Sequence, residues 1–81
     1  MNNIEITKSM LANFAILLPS QKGVYASFYR AFSVYETNIR TMLESALDFT
    51  ESYLKATNTH ATIELNDHMQ LVKNFLRNCN L

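Results

Sequence analysis

The best candidates for chemistry in this chain are two histidines and an acidic residue at regular spacing. His60, Glu64 and His68 stand at i, i+4 and i+8 with Asp67 beside them, so on a continuous helix they would share a face. Imidazole plus carboxylate is a donor set that suits zinc or iron. The competing expectation is a loop histidine followed by ordinary first-turn acids, and that expectation assigns no metal. A second set, Glu44, Asp48 and Glu51, resembles the carboxylate row of a diiron bundle. Such sites need inward carboxylates beside Glu-x-x-His motifs, and no Glu-x-x-His occurs. These three are expected on a solvated face.

Nucleophilic catalysis has little to work with. Cys79 is the only cysteine, and neither it nor any serine sits in a motif that supplies a base or an orienting group. No nucleophile elbow, phosphate-binding loop or dinucleotide fingerprint is present. The chain is expected not to be an enzyme and to need no cofactor. Tyr25, Phe28, Tyr29, Phe32 and Tyr35, with Lys22 and Arg30 among them, could stack on bases and touch phosphates. Their helical spacing fits packing better, and two basic groups are few for a nucleic-acid surface.

Any such residues must be held by an 81-residue chain, one domain over 1–81. A chain of this size buries only about 60% of the surface its unfolded form exposes. Small domains commonly add disulfides, metals or partner subunits. One cysteine forbids an internal disulfide, which leaves association, and the free thiol fits a reducing compartment. The formal net charge is zero, with 48% hydrophobic and 17% charged residues. That balance argues against a phosphate-binding surface and for apolar surface that meets another protein. Residues 1–9 hold no cationic cluster, and the apolar stretch Phe14 to Leu18 is too short for a signal core or a membrane span. The expected location is cytoplasmic, with no membrane association.

The positioning elements are expected to be helices throughout. Pro19 and Gly23, each the only residue of its kind, punctuate the chain near one point, and Ala56 to His60 carry the other turn signal. A short first helix is expected over about residues 3–17, with Met10, Phe14 and Leu17 on one stripe and Ile4, Leu11 and Leu18 beside it. It should stop before Pro19, because the residue preceding proline is pushed out of the α region. Ser20 then offers an N-cap for a long central helix reaching Ala56. Along that helix Tyr25, Phe28, Phe32, Tyr35, Ile39, Met42, Ala46, Phe49 and Tyr53 step by three and four, a seam sustained over four heptads. Glu36 with Arg40, and Glu51 with Lys55, make i,i+4 pairs on its surface. A short third helix spans about 62–78, with Leu65, Met69, Val72 and Leu76 inward and either Thr59 or Thr62 as cap.

A helix over residues 20–56 would be about 55 Å long, against a diameter of about 30 Å for a compact chain of this length. It must bend, with Asp48 to Thr50 as the expected place, or the molecule must be elongated. The fold class is therefore all-α: a three-helix bundle with a long, kinked or straight centre, completed by association with a second copy through Phe28, Phe32 and Tyr35. The expected function is that of a non-enzymatic helical interaction protein, an adaptor, inhibitor or regulator that binds a protein partner. Tyr25, Tyr29 and Arg30 are its expected partner-binding anchors, since Tyr and Arg are favoured at interface hot spots. The alternatives are a regulator that binds a nucleotide or nucleic acid at a subunit interface, and a metal-binding helical protein using His60, Glu64 and His68.

Overall fold

The computed structural model describes residues 2–35 and 38–78. Among them are four helices and no strand: α1 (Asn3–Leu17), α2 (Lys22–Tyr35), α3 (Ile39–Ala56) and α4 (Ile63–Asn78), with a single 3₁₀ turn at Pro19–Gln21 between the first two. Cys79 and Glu36 lie outside the described residues, and with them the free-thiol assignment and the Glu36–Arg40 pair.

α1 begins where Asn2 Oδ1 accepts the Glu5 N–H at 2.8 Å, satisfying one of the four amides that a helix start leaves orphaned. It ends as the proline dictates. Leu18 sits at φ −132° and ψ 69°, outside the helical region, as the residue before a proline ring prefers. Pro19 then opens the 3₁₀ turn, closed by Gln21 N–H to Leu18 C=O at 3.0 Å. Ser20 is therefore inside that turn and does not cap α2; its hydroxyl lies 3.3 Å from the Tyr53 hydroxyl. Gly23, expected as a boundary, falls in the first turn of α2.

The expected central helix is two helices. α2 stops at Tyr35 and α3 starts at Ile39, with Asn38 between them at φ −48° and ψ 117°. The Asn38 Oδ1 accepts the Thr41 N–H at 3.1 Å. A short polar side chain that bonds nearby backbone competes with helix continuation and favours a new helix start. Asp48 to Thr50, the expected bend, lie inside unbroken α3. With the long helix divided, the chain folds back on itself to a radius of gyration of 12.0 Å and extents of 34 × 25 × 18 Å. The length argument for an elongated molecule, and for a second copy to complete it, falls with the break.

α1 packs against each of the other three helices. Its Met10, Leu11 and Phe14 meet Tyr25 and Phe32 of α2, Leu43, Ala46 and Leu47 of α3, and Leu65, Met69, Val72 and Leu76 of α4 in one core. The seam holds on α2 at Tyr25 and Phe32, both fully buried, but Tyr35 at its end is 73% exposed. On α3 the buried face is centred on Leu43, Ala46, Leu47 and Thr50, while the seam residues Ile39, Met42, Phe49 and Tyr53 flank it half-buried. Restarting the helix at Asn38 resets its rotation, so the inward face moves about one residue from the extrapolated heptad.

Local chemistry fixes the remaining ends. α3 closes with Thr59 N–H to Leu54 C=O at 2.9 Å and Asn58 N–H to Lys55 C=O at 3.2 Å, the paired bonds of a Schellman motif, and Asn58 occupies its left-handed position at φ 52°. Thr62 caps α4: its hydroxyl oxygen accepts the Leu65 N–H at 3.1 Å, whereas the Thr59 hydroxyl is engaged with Thr57. At the far end of α4 the Arg40 guanidinium donates to the Leu76 carbonyl at 2.8 Å, a cation on the negative end of the helix dipole.

Candidate functional site: the groove between α1 and α2

The metal constellation is not brought together. His60 is exposed in the connection before α4, outside the helix that carries Glu64 and His68. His68 turns the other way, into the core: its Nε2–H donates to the Met10 carbonyl at 2.9 Å, and its ring stands edge-on to Phe14 at 4.6 Å between centroids. His68 is thus buried away from Glu64 and His60, and no group of three His, Cys, Asp or Glu among the described residues is arranged to hold a metal ion. Glu44, Asp48 and Glu51 are all exposed. Glu44 lies 3.6 Å from Arg40, and Glu51 reaches across to Lys73 of α4 at 3.0 Å in place of the expected Lys55.

The tyrosines and phenylalanines of α2 separate into two roles. Tyr25, expected among the exposed anchors, is fully buried. Its ring stacks on Phe14 at 5.1 Å and meets the Phe49 edge at 5.6 Å. Its hydroxyl bonds the Thr50 hydroxyl, and because Thr50 spends its single proton on the Ala46 carbonyl at 2.7 Å, Tyr25 must be the donor. Burial pushes the Tyr25 phenol above its ordinary pKa of 10.0. Phe32 is likewise fully buried within the chain and is unavailable to a second copy. Phe28 is half-buried, its ring 6.4 Å from Phe49. These burials also break the stacking row that a nucleic acid would use.

Tyr29 and Arg30, also expected as partner-binding anchors, are exposed. They lie on the outer side of α2, along a groove of about 590 Å³ between α1 and α2. Small residues line it from both helices, Ala12 and Ala15 from α1 and Ala26 and Ser33 from α2, along with the buried Leu11 and Tyr25. Large side chains stand up as its walls, with Ile16 at 71% exposure and Val34 at 67%, and Tyr29 partly so. Among the described residues Arg30 is the only charged one that lines it, and it makes no ion pair with another of them. Alanines spaced three apart let another backbone approach closely, and flanking branched side chains give it something to pack between.

Ile16, Val34 and the groove alanines escape a search for helical stripes, which looks for the face that goes inward. Their signal is weaker: Ser9 to Gln21 contains no charged residue, so α1 has no polar face of the usual kind. Ile63 and Leu71, exposed on α4 at 78% and 54%, lie off the Leu65–Met69–Val72–Leu76 stripe and are missed for the same reason. Comparison with family models, with curated proteins and with solved structures gives no match, so the groove is interpreted from its own geometry.

Proposed function

We propose that the protein is a non-enzymatic interaction module that receives a helix of a protein partner in the groove between α1 and α2. The observation that carries this reading is the groove itself: among the described residues it is lined by apolar side chains with Ser33 and Arg30, and Ile16 and Val34 along it are left uncovered by the chain's own core. Isolated exposed apolar residues are ordinary, but a contiguous apolar channel is a recurring docking surface for amphipathic helices. The open form suits a helix better than a small ligand, which binding sites usually bury on most of its surface. Tyr29 and Arg30 act as anchors, one offering a broad amphipathic ring and the other a charge that fixes orientation.

The test is capture of partners from the native cell, followed by reconstitution with the purified partner. Tyr29→Ala and Arg30→Ala should each weaken the reconstituted complex at least about tenfold, the scale of a residue worth more than 1 kcal/mol at an interface. Asp48→Asn, on the exposed side of α3, should leave it unchanged. Equal binding by all three variants would remove the groove from the interaction.

A further inference from the structure

We propose that the helix received by the groove is α4 of a second copy of this chain, with Asp67 of one copy facing Arg30 of the other. The proposal rests on the reading of the groove as a helix receptor and names its occupant. The described residues contain six exposed large hydrophobics: Ile16, Tyr29, Val34, Tyr35, Ile63 and Leu71. Three of them wall the groove, and Tyr35 follows Val34 at the end of α2. The other two, Ile63 and Leu71, are eight residues apart on α4, and Asp67 stands midway between them, also exposed. At i, i+4 and i+8 these three share one side of the helix.

That stripe is complementary to the groove in length, in apolarity and in charge. From Ile63 to Leu71 it measures about 12 Å, and the groove along α2 from Tyr25 to Val34 about 13.5 Å, at 1.5 Å per residue. Arg30 lies near the middle of the groove as Asp67 lies at the middle of the stripe, so seating the two aliphatic residues brings the opposite charges together. Neither makes an ion pair within the chain among the described residues. The larger charge pattern agrees: α1 and α2 carry Lys8, Lys22 and Arg30 against Glu5 alone, while Asp67 belongs to a half that holds most of the acids. Groove against groove would offer Arg30 no acid among the described lining residues.

Both surfaces also border α1. Ala12, Ala15 and Ile16 line its flank toward α2, and Ile6 and Met10 line its flank toward α4 together with Leu71. A two-fold axis near α1 can therefore form both contacts at once, each copy giving its α4 and receiving the other's, which is the closed, self-complementary arrangement most homodimers adopt.

Sedimentation of the purified chain and its variants tests this. At about 10 μM the wild type should run at twice the chain mass, and both Arg30→Asp and Asp67→Arg should weaken the dimer about tenfold or more. Both side chains are exposed, so circular dichroism should find each variant folded. The double variant Arg30→Asp/Asp67→Arg, which restores the charge pair in reverse, should recover most of the association. A monomeric wild type at about 100 μM, or a dimer indifferent to Asp67→Arg, would overturn the proposal. The two readings fail separately: if a foreign partner needs Tyr29 and Arg30 but not Asp67, the groove stands and the second copy does not occupy it, whereas a partner indifferent to Tyr29 and Arg30 removes the groove itself.

Discussion

The α1–α2 half and the α3–α4 half bury similar apolar faces but finish their outer surfaces differently. On α3 and α4 the periphery is tied down by polar contacts: Glu51 to Lys73, Arg40 to both Glu44 and the end of α4, and a Thr62 cap. Along the groove of α1 and α2 the surface has alanines, Ile16, Tyr29 and Val34 with one arginine that makes no ion pair among the described residues. Surface ion pairs add little stability; among the described residues both lie on α3 and α4, where they accompany a polar, solvated periphery. Burial within the chain and exposure to a partner can lie on adjoining faces of the same helix: Phe32 is fully buried and Tyr29, one turn away on α2, is 40% exposed.

That division can be broken experimentally. Phe32→Ala should cost about 3–5 kcal/mol in denaturant unfolding, the range for removing a fully buried ring, whereas Tyr29→Ala on the groove wall should cost less than about 1 kcal/mol. Similar losses at the two sites would mean that the groove is part of the core. Tyr25→Phe should cost about 1–2 kcal/mol, because it removes a buried donor that satisfies Thr50. It should also change the alkaline limb. Burial raises the Tyr25 pKa in the folded state, so the unfolded chain releases this proton first, near pH 10, and there binds fewer protons than the folded one. Stability contributed by the neutral phenol is full below about pH 10 and is lost as pH rises through the higher folded value. Unfolding midpoints measured from pH 8 to 11 should fall less steeply for Tyr25→Phe than for the wild type.

Smaller effects sharpen the comparison at the helix starts and on the wet surface. Asn38→Ala should cost about 1 kcal/mol through loss of the α3 cap, detectable as a lower urea midpoint at unchanged slope. Gly23→Ala should stabilise by up to about 1 kcal/mol, since a β-carbon at this helical position meets nothing within 4 Å and the unfolded chain loses freedom. Glu44→Gln, which breaks only the exposed 3.6 Å pair with Arg40, should stay within about 0.5 kcal/mol. A large loss there would show that the outer face of α3 carries more than solvation.

Much of this fold is legible in the residues themselves. Pro19 stops α1, the polar run after Ala56 ends α3, and three-four spacing identifies Tyr25, Phe32, Leu65 and Val72 as members of inward faces. The break before α3 is harder to read. The heptad pattern continues across it, and only Asn38 marks it, a residue that can equally sit on a solvated helix face. The candidate site is partly legible: Tyr29 and Arg30 stand on the groove, but Tyr25, identical to Tyr29 in type and adjacent on the helix, is buried. A tyrosine serves a core as well as a surface, and the difference lies in whether Phe14, Phe49 and Thr50 close around it.

The all-helical class, the end of α1 before Pro19, the turn after Ala56 and much of the core follow from the sequence alone, because proline geometry and apolar period act over a few residues. Tertiary structure decided the rest: that α2 and α3 fold into separate directions, that His68 is spent on the Met10 carbonyl, and that Ala12, Ala15, Ile16, Tyr29 and Val34 meet along one groove. Those outcomes depend on contacts between residues far apart in the chain, where small rotations of whole helices choose which of several apolar faces is covered, and local spacing carries no record of that choice.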